Sequence, residues 1–370
     1  MVKKQSSKWL WGLSLAAIAS VAVAGVVVWN AYHSAAPAQE AEPVMTGSDF
    51  SLSNRQLAYY FWSEYVYLSA SETPPFDTER ALAAQWYDEE TTWQQKLTEL
   101  AFDTAKQTMV LDAAARDAGF TLPESFAETL RKQKQAYRKQ AQDSGFDPQD
   151  AEQMQEFLIS LYGPEANEAD FDAYLDDTFL ATAYSNALYD KAQFTDAQIQ
   201  TYFDQNAENY ATTLGISRNE TRACTLRCIF LAGEDSKSRA EEIQAEYEKN
   251  PTEEHFADLE SQYNQDEKAN EQGLYLNVTP KQSEQSIRSW VFDKSRKPGD
   301  EAMVTMESGY VLIYYVSQAE QPLWYATAES DMRYEAYRNA YETLEADAQV
   351  QTFPDRVNLP VPERMMPKEK

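Results

Sequence analysis

The chain has 370 residues, 60 of them acidic and 32 basic, and its formal net charge is −28. Such an acidic chain lacks the basic face with which nucleic-acid-binding proteins displace counterions, which excludes that class of partner. Two histidines and two cysteines are too few for a histidine-rich metal site or a four-cysteine zinc site. The sequence also has no phosphate-loop, dinucleotide-binding or serine-hydrolase motif. Its length predicts two or three domains, and its many aromatic residues favour a packed, helical protein.

The first thirty residues have the pattern of a membrane anchor. Three lysines, Lys3, Lys4 and Lys8, precede an uncharged run over residues 9–29. A helix needs about 20 apolar residues to cross the hydrocarbon core, so the run predicts one transmembrane helix. The lysines place the N-terminus in the cytoplasm and the bulk of the chain outside the cell membrane. A cleaved signal peptide is the alternative, although its apolar core is usually only about 7–15 residues long.

The next part of the chain is predicted to be a linker followed by helices. Residues 31–52 contain Ala-Pro, Glu-Pro and Thr-Gly-Ser, which are typical of a flexible linker. Apolar residues at helical spacing then predict an irregular all-α domain over 53–212. Its helices are expected at 53–68, 92–118, 125–142, 148–162, 167–190 and 195–210. The first helix is apolar on two sides, which fits either a helix between neighbours or a surface for unfolded chains.

Beyond residue 212 the pattern changes to that of a small α+β domain, predicted over 213–320. Strands are expected at 222–231, 273–276 and 310–316, and helices at 235–249 and around 255–259. Apolar residues at helical spacing predict one more long helix over 321–350, followed by a proline-rich tail over 351–370.

The two cysteines, Cys224 and Cys228, fall four residues apart on the first of these strands. At about 3.3 Å per residue their Cα atoms would be roughly 13 Å apart. A disulfide needs Cα atoms within about 7 Å, so the strand prediction implies that they do not form one.

The motifs of the α+β region resemble those of a parvulin-type (PpiC-like) peptidyl-prolyl isomerase domain. The matching segments, in family order, are LRCIFL (226–231), HFADL (255–259), YNQD (263–266), GLY (273–275), WVFD (290–293), RKPGD (296–300) and SGY (308–310). Upstream, residues 102–125 resemble the helical chaperone arm of bacterial membrane-anchored, extracytoplasmic foldases of the PrsA/SurA kind. Residues 194–210 resemble the connector that precedes their parvulin domain. The resemblance implies a SurA-N-like chaperone domain over 53–212, on which the C-terminal helix packs back.

The resemblance also implies the residues of a site, with departures from the family pattern. Cys228 and Val311 occupy the positions of the family's two facing histidines, and Ile287 that of an aromatic residue in the proline pocket. Asp266 matches the family's Cys-or-Asp position and Phe292 a second pocket residue. The implied roles are catalytic for Asp266 and Cys228, and substrate-binding for Ile287, Phe292, Leu274 and Val311. The plain alternative is that the apolar residues and Cys228 are core and that Asp266 is a solvated loop residue.

Prolyl isomerisation needs no metal and no cofactor, because no covalent bond forms when the X–Pro bond rotates over a barrier of about 18–20 kcal/mol. The resemblance therefore implies a foldase whose partners are unfolded or partly folded exported proteins and their proline-containing segments. Replacement of both histidines leaves a non-enzymatic holdase as the first alternative, in which the domain only binds peptide. A structural envelope protein is the second alternative, and a homodimer through the helical arm is possible.

Overall fold

The computed structural model describes residues 42–71, 73–266 and 273–359. The chain is a mixture of helices and two antiparallel sheets, as expected for the α+β class. It divides into two compact units, one ending at Ala192 and resuming at Ala336, the other spanning Gln193–Glu335. The predicted anchor, residues 9–29, lies outside the described residues. Among the helices of the described part, none has the length and apolar character needed to span a membrane.

The first unit contains five long helices. They are α1 (Asn54–Ser69), α2 (Trp93–Asp117), α3 (Glu124–Asp143), α4 (Ala151–Tyr162) and α5 (Glu168–Lys191), with a 3₁₀ turn at Leu82–Ala84. Two of the helices begin with a capping box, in which the Ser53 or Thr92 hydroxyl accepts from a backbone N–H three residues later. The same local signals are visible in the sequence, which is why the predicted helices lie within a few residues of the observed ones.

Helix α1 runs through the centre of this unit. Tyr59, Tyr60, Phe61 and Trp62 are consecutive residues that point in all directions from the helix, and each is at most 3% exposed. The Tyr59 ring also stacks on that of Tyr174 of α5, with centroids 5.7 Å apart. Of the two alternatives for this helix, the one between neighbours is therefore confirmed, because its apolar sides are already covered within the unit.

A short three-stranded sheet corrects the predicted linker and part of the predicted tail. Strands β1 (Met45–Thr46) and β2 (Ser51–Leu52) pair with each other, and β7 (Gln351–Thr352) pairs with β1. Val44 and Met45 are fully buried in the core of the first unit. The prediction of a flexible linker is therefore wrong from residue 42 to residue 52, because these apolar side chains are packed and the backbone is paired.

The final helix, α10 (Leu323–Ala348), contributes to both units, and from Ala336 onward it belongs to the first. There the Lys106 ammonium lies 2.8 Å from the Glu345 carboxylate. The Gln107 amide of α2 donates to the Tyr337 hydroxyl over 3.2 Å. The C-terminal half of α10 thus packs on α2.

The second unit holds a four-stranded antiparallel sheet. Its elements are α6 (Asp196–Asn209), a π-helical turn (Tyr210–Leu214), β3 (Cys224–Ala232), α7 (Ser236–Tyr247), α8 (Glu253–Tyr263), β4 (Leu274–Val278), α9 (Gln285–Val291), β5 (Glu301–Met306) and β6 (Gly309–Gln318). The strand order is β4-β3-β6-β5. Helix α6, placed in the helical domain by the sequence analysis, packs here on the first half of α10 through Phe203 and Trp324, whose rings are 5.1 Å apart.

Alternate side chains of the sheet face opposite ways, as the pleat requires. On one face Ile229 and Leu231 of β3 and Leu312 of β6 pack beneath α7 and α8. The other face carries Cys228 and Val311, and it is the face that holds the candidate site.

Candidate functional site

The floor of the candidate site is formed by the two central strands, β3 and β6. Their register places Cys228 opposite Ile313, and Phe230 opposite Val311. Cys228 and Val311 are therefore diagonal neighbours on one face of the sheet. Both are buried, Val311 completely. The residues predicted to replace the two family histidines thus lie close together, on a largely apolar floor whose polar groups include the Cys228 and Cys224 thiols and the Tyr315 hydroxyl.

Helix α9 covers part of this floor. Ile287 and Val291 of α9 belong to the same buried cluster as Cys228 and Val311, and Phe292, which follows the helix, packs against that cluster while remaining half-exposed. Four of the six predicted site residues therefore belong to this cluster or pack against it. Three of them are buried floor or cover, and Phe292 remains accessible at the edge.

Several of the partly buried side chains at the margin of the site are aromatic. Phe230, Tyr275 and Phe292 are half-buried side chains that pack against the floor cluster. The Phe230 and Tyr275 rings meet edge to face, with centroids 6.0 Å apart. We call these three residues the aromatic rim. Half-exposed aromatic side chains over an apolar floor suit the binding of an apolar ring.

Leu274, predicted to line the pocket, lies in a different position. It pairs with Arg227, and its neighbour Tyr275 pairs with Leu226. Since successive strand residues face opposite ways, Tyr275 points to the floor cluster and Leu274 does not join it.

Two residues of the aromatic rim, Phe230 and Tyr275, are not predicted from the sequence. Only the register of β4 identifies Tyr275, because period-two alternation alone does not say which residue of a short strand faces the site. Phe230 lies two residues after Cys228 on a predicted strand, so the alternation places it on the same face.

Asp266 is joined to the aromatic rim through Tyr275. The Tyr275 hydroxyl donates to Asp266 Oδ2 over 2.8 Å. Burial raises the pKa of Tyr275, and the hydrogen bond to the Asp266 carboxylate raises it further. The phenol therefore stays protonated at neutral pH and holds the carboxylate in place, which puts a negative charge at the margin of an otherwise apolar surface.

The Cys228 thiol is not a nucleophile in this environment. Burial raises its pKa strongly, and the nearby carboxylates of Asp266 and Glu260 raise it further. Both cysteines are free thiols. Cys228 therefore stays neutral, and it can act only as a weak hydrogen-bonding group or as a small packing residue. No group of His, Cys, Asp and Glu suited to a metal ion occurs within the described residues.

The chain around Asp266 is anchored to the end of β3. The Asn264 side chain accepts from the Phe230 N–H over 2.8 Å and donates to the buried Glu260 carboxylate over 2.7 Å. The Gln265 N–H donates to the Phe230 carbonyl over 3.0 Å. These bonds make the segment that leads to Asp266 an extension of the sheet, so the position of the carboxylate follows from the strand.

Gly273 immediately precedes β4, at a point of very close packing. A Cβ at this position would lie 2.4 Å from Glu260 Cγ and 2.7 Å from the Cys228 carbonyl oxygen. Its φ of +59° is also in the left-handed region. A glycine is therefore required for α8, β3 and β4 to meet at the site.

Of the comparisons made with known proteins, the one with solved structures finds proteins similar to this chain. No family model and no curated protein sequence matches the chain. The chain is similar to PrsA from Bacillus subtilis, with 16% identity, 73% of this chain and 94% of that chain covered, and a TM-score of 0.34. A foldase protein PrsA from Streptococcus pneumoniae matches with 14% identity, 73% and 95% coverage and a TM-score of 0.29. A SurA-like chaperone structure from Campylobacter jejuni matches with 18% identity, 60% and 87% coverage and a TM-score of 0.27. These structures are of the kind that the sequence motifs resemble.

Proposed function

We propose that the chain is an extracytoplasmic foldase that binds proline-containing segments of unfolded exported proteins and speeds the rotation of their X–Pro bonds. The observation that carries this proposal is the aromatic rim around an apolar floor, with the Asp266–Tyr275 pair at its margin. A proline ring fits against aromatic side chains, while the rotating amide would lie beside the carboxylate.

The barrier can be lowered here without histidines. A planar amide is more polar than a twisted one, so moving the amide from water onto an apolar surface favours the twisted form. The uncatalysed barrier is about 18–20 kcal/mol. Lowering it by about 1.4 kcal/mol gives a tenfold faster rotation. A modest rate enhancement is therefore within reach of the floor and rim alone.

The test is a prolyl isomerisation assay with the full-length chain and short peptides that differ in the residue before proline. We expect a rate above background that is lowered by Phe292→Ala and by Asp266→Asn. Phe292→Ala removes an accessible rim ring, and Asp266→Asn removes the charge while keeping the shape. Tyr67→Ala, which removes an exposed aromatic ring from α1 in the other unit, is the matched control and should leave the rate unchanged. An absent rate, or a rate indifferent to both site variants, contradicts the proposed catalysis.

The holdase is a second candidate, and one observation favours it. Cys228 is only 4% exposed and Val311 is fully buried, so neither position offers a polar group to a bound peptide. A holdase would slow the aggregation of an unfolded client protein whatever the client's sequence. It would not accelerate the isomerisation of a proline peptide. Measuring both readouts on the same preparation separates the two candidates.

The membrane attachment and the self-association are further parts of the proposal. Attachment rests on the uncharged run over 9–29 and its preceding lysines. If it is correct, protease added outside intact cells stripped of their wall should digest the chain down to the anchor. A chain released into the medium in full would support the cleaved signal peptide instead. A homodimer is tested by sedimentation of the full-length chain in detergent, where a single monomeric species would exclude it.

A further inference from the structure

A second candidate binding site lies in the first unit, in the segment between α1 and α2. It is an open cleft of about 600 Å³, within the size range of ligand-binding clefts. Most of its lining is aromatic or proline, and it includes Pro74, Pro75, Phe76, Arg80, Trp86 and Trp93. None of these residues belongs to the parvulin-like unit, and the function proposed above does not use them.

The cleft has a rigid base. The Phe76 ring is buried and stacks on Tyr65 of α1, with centroids 5.2 Å apart. The side chain of Gln85 is buried and makes three hydrogen bonds across the segment, accepting from the Asp77 N–H and donating to the carbonyls of Asp77 and Arg80 over 2.7–2.9 Å. Because these bonds hold the segment in one shape, a ligand would find the cleft formed in advance.

On this rigid base, two large aromatic rings are left open to solvent. Trp86 is 67% exposed and the adjacent Tyr87 is 48% exposed. By contrast, Trp62 of the same unit is 2% exposed. The backbone of Trp86 is bridged to Thr92, and the Tyr87 ring packs edge to face on Trp93 with centroids 5.0 Å apart. An exposed tryptophan on a fixed backbone, beside a cleft, is the typical anchor point of a protein interface.

The charge around the cleft selects the partner. Residues 77–90 carry five carboxylates (Asp77, Glu79, Asp88, Glu89 and Glu90) and one guanidinium, that of Arg80. The segment therefore has a net charge of −4, or −3 together with Lys96 of α2, whose ammonium lies 5.4 Å from the centre of the Tyr87 ring, and it attracts basic groups while repelling acidic ones. An anionic membrane surface is disfavoured for the same reason.

We propose that this cleft binds an extended, proline-bearing segment of a partner protein in which a lysine or arginine adjoins the proline. Such segments adopt the polyproline II helix before binding, so that little conformational entropy is lost when they dock on aromatic grooves. The proline ring packs on Trp86, and the basic residue meets the carboxylates of residues 77–90. The site is independent of the isomerase proposal, since it lies wholly in the first unit.

The experiment measures binding of a fluorescent peptide with a PxxP core flanked by arginines to the full-length chain. We expect saturable binding that Trp86→Ala weakens about tenfold or more, as is usual for an interface anchor. Tyr67→Ala, an exposed aromatic of the same unit outside the cleft lining, should leave the affinity unchanged. Replacing the prolines with alanine, or the arginines with glutamate, should abolish binding.

Several outcomes overturn the proposal. Binding that Trp86→Ala does not change, or that survives loss of the prolines, contradicts a proline-specific cleft. Binding that is lost with Phe292→Ala but not with Trp86→Ala places the peptide at the parvulin-like site. The outcome of the isomerase assay does not affect this binding measurement. Binding that appears only after deletion of residues 360–370 makes the chain's own C-terminus the occupant. Trp86-dependent binding to neutral phosphatidylcholine vesicles in place of the peptide makes the occupant a membrane.

Discussion

Asp177 of α5 is a half-buried carboxylate whose removal we expect to stabilise the first unit at neutral pH. Burial raises the pKa of Asp177 to about 6, from an ordinary value of 3.8, and the charge of Asp112 raises it further while Arg116 opposes the shift. The Arg116 guanidinium lies 2.7 Å from both carboxylates. Asp112 is itself buried. A single guanidinium therefore pairs with two carboxylates that repel each other.

The sign of the pH dependence follows from the raised pKa. The folded state keeps the Asp177 proton to a higher pH than the unfolded state, so the free energy of unfolding falls as the pH rises from about 3.8 to about 6. A shift of about 2.2 pKa units corresponds to an upper bound of about 3 kcal/mol, at about 1.4 kcal/mol per unit. From pH 4 to pH 7.5 the loss should be about 2 kcal/mol.

The variant Asp177→Asn removes the ionisation and keeps the shape of the side chain. We expect its free energy of unfolding, relative to that of the unmodified chain, to increase by about 2 kcal/mol from pH 4 to pH 7.5. The measurement is urea unfolding followed by circular dichroism at several pH values. Asp190→Asn, the same change at an exposed position of α5, is the control for the loss of one carboxylate without burial. If the Asp177→Asn difference is independent of pH, the argument from burial and from Asp112 is refuted.

Three further predictions concern the packing around the candidate site. Gly273→Ala should destabilise the chain by about 1–3 kcal/mol more than Gly215→Ala in thermal unfolding, because both glycines have positive φ but only the former would bring a Cβ against packed atoms; equal losses would contradict the close packing. Cys224 and Cys228 should resist a thiol reagent at pH 8 and react only on unfolding, since burial raises the pKa of both thiols; rapid labelling of the folded chain would show an open floor. Val311→Thr should cost about 1–3 kcal/mol in urea unfolding, because its hydroxyl would be buried among apolar side chains; a neutral effect would mean that water reaches this position.

Local signals in the sequence were enough to predict most helices. Ser53 and Thr92 mark helix starts by capping boxes that are complete within three residues of the chain. The positions of Cys228 and Val311 on one face also follow from the motif order, because two antiparallel neighbours with known alternation leave few choices. Both features are encoded locally, the helix starts by residues within three positions of one another and the shared face by the order of the motifs.

The features that sequence reasoning missed depend on pairing between distant segments. The linker prediction failed over 42–52 because β1 pairs with β7, about three hundred residues later, and nothing near residue 45 signals that partner. Strand β5 is not predicted from the sequence. It is a short strand at the edge of the sheet that begins at Glu301, and its alternation of apolar and polar residues is weak. Leu274 is predicted to line the pocket, whereas Tyr275 faces the site in the structure, because a one-residue change in register exchanges the two faces of a strand.

The isomerisation rate of a proline peptide, measured by exchange spectroscopy with the full-length chain, tests the proposed function most directly. This measurement observes the cis and trans signals at equilibrium and needs no coupled protease. We expect faster exchange than in the free peptide, with Phe292→Ala returning the rate toward the uncatalysed value and Tyr67→Ala leaving it unchanged. An unchanged exchange rate, in a sample where the peptide signals show that it is bound, would contradict catalysis by this site and leave a protein that only holds its clients.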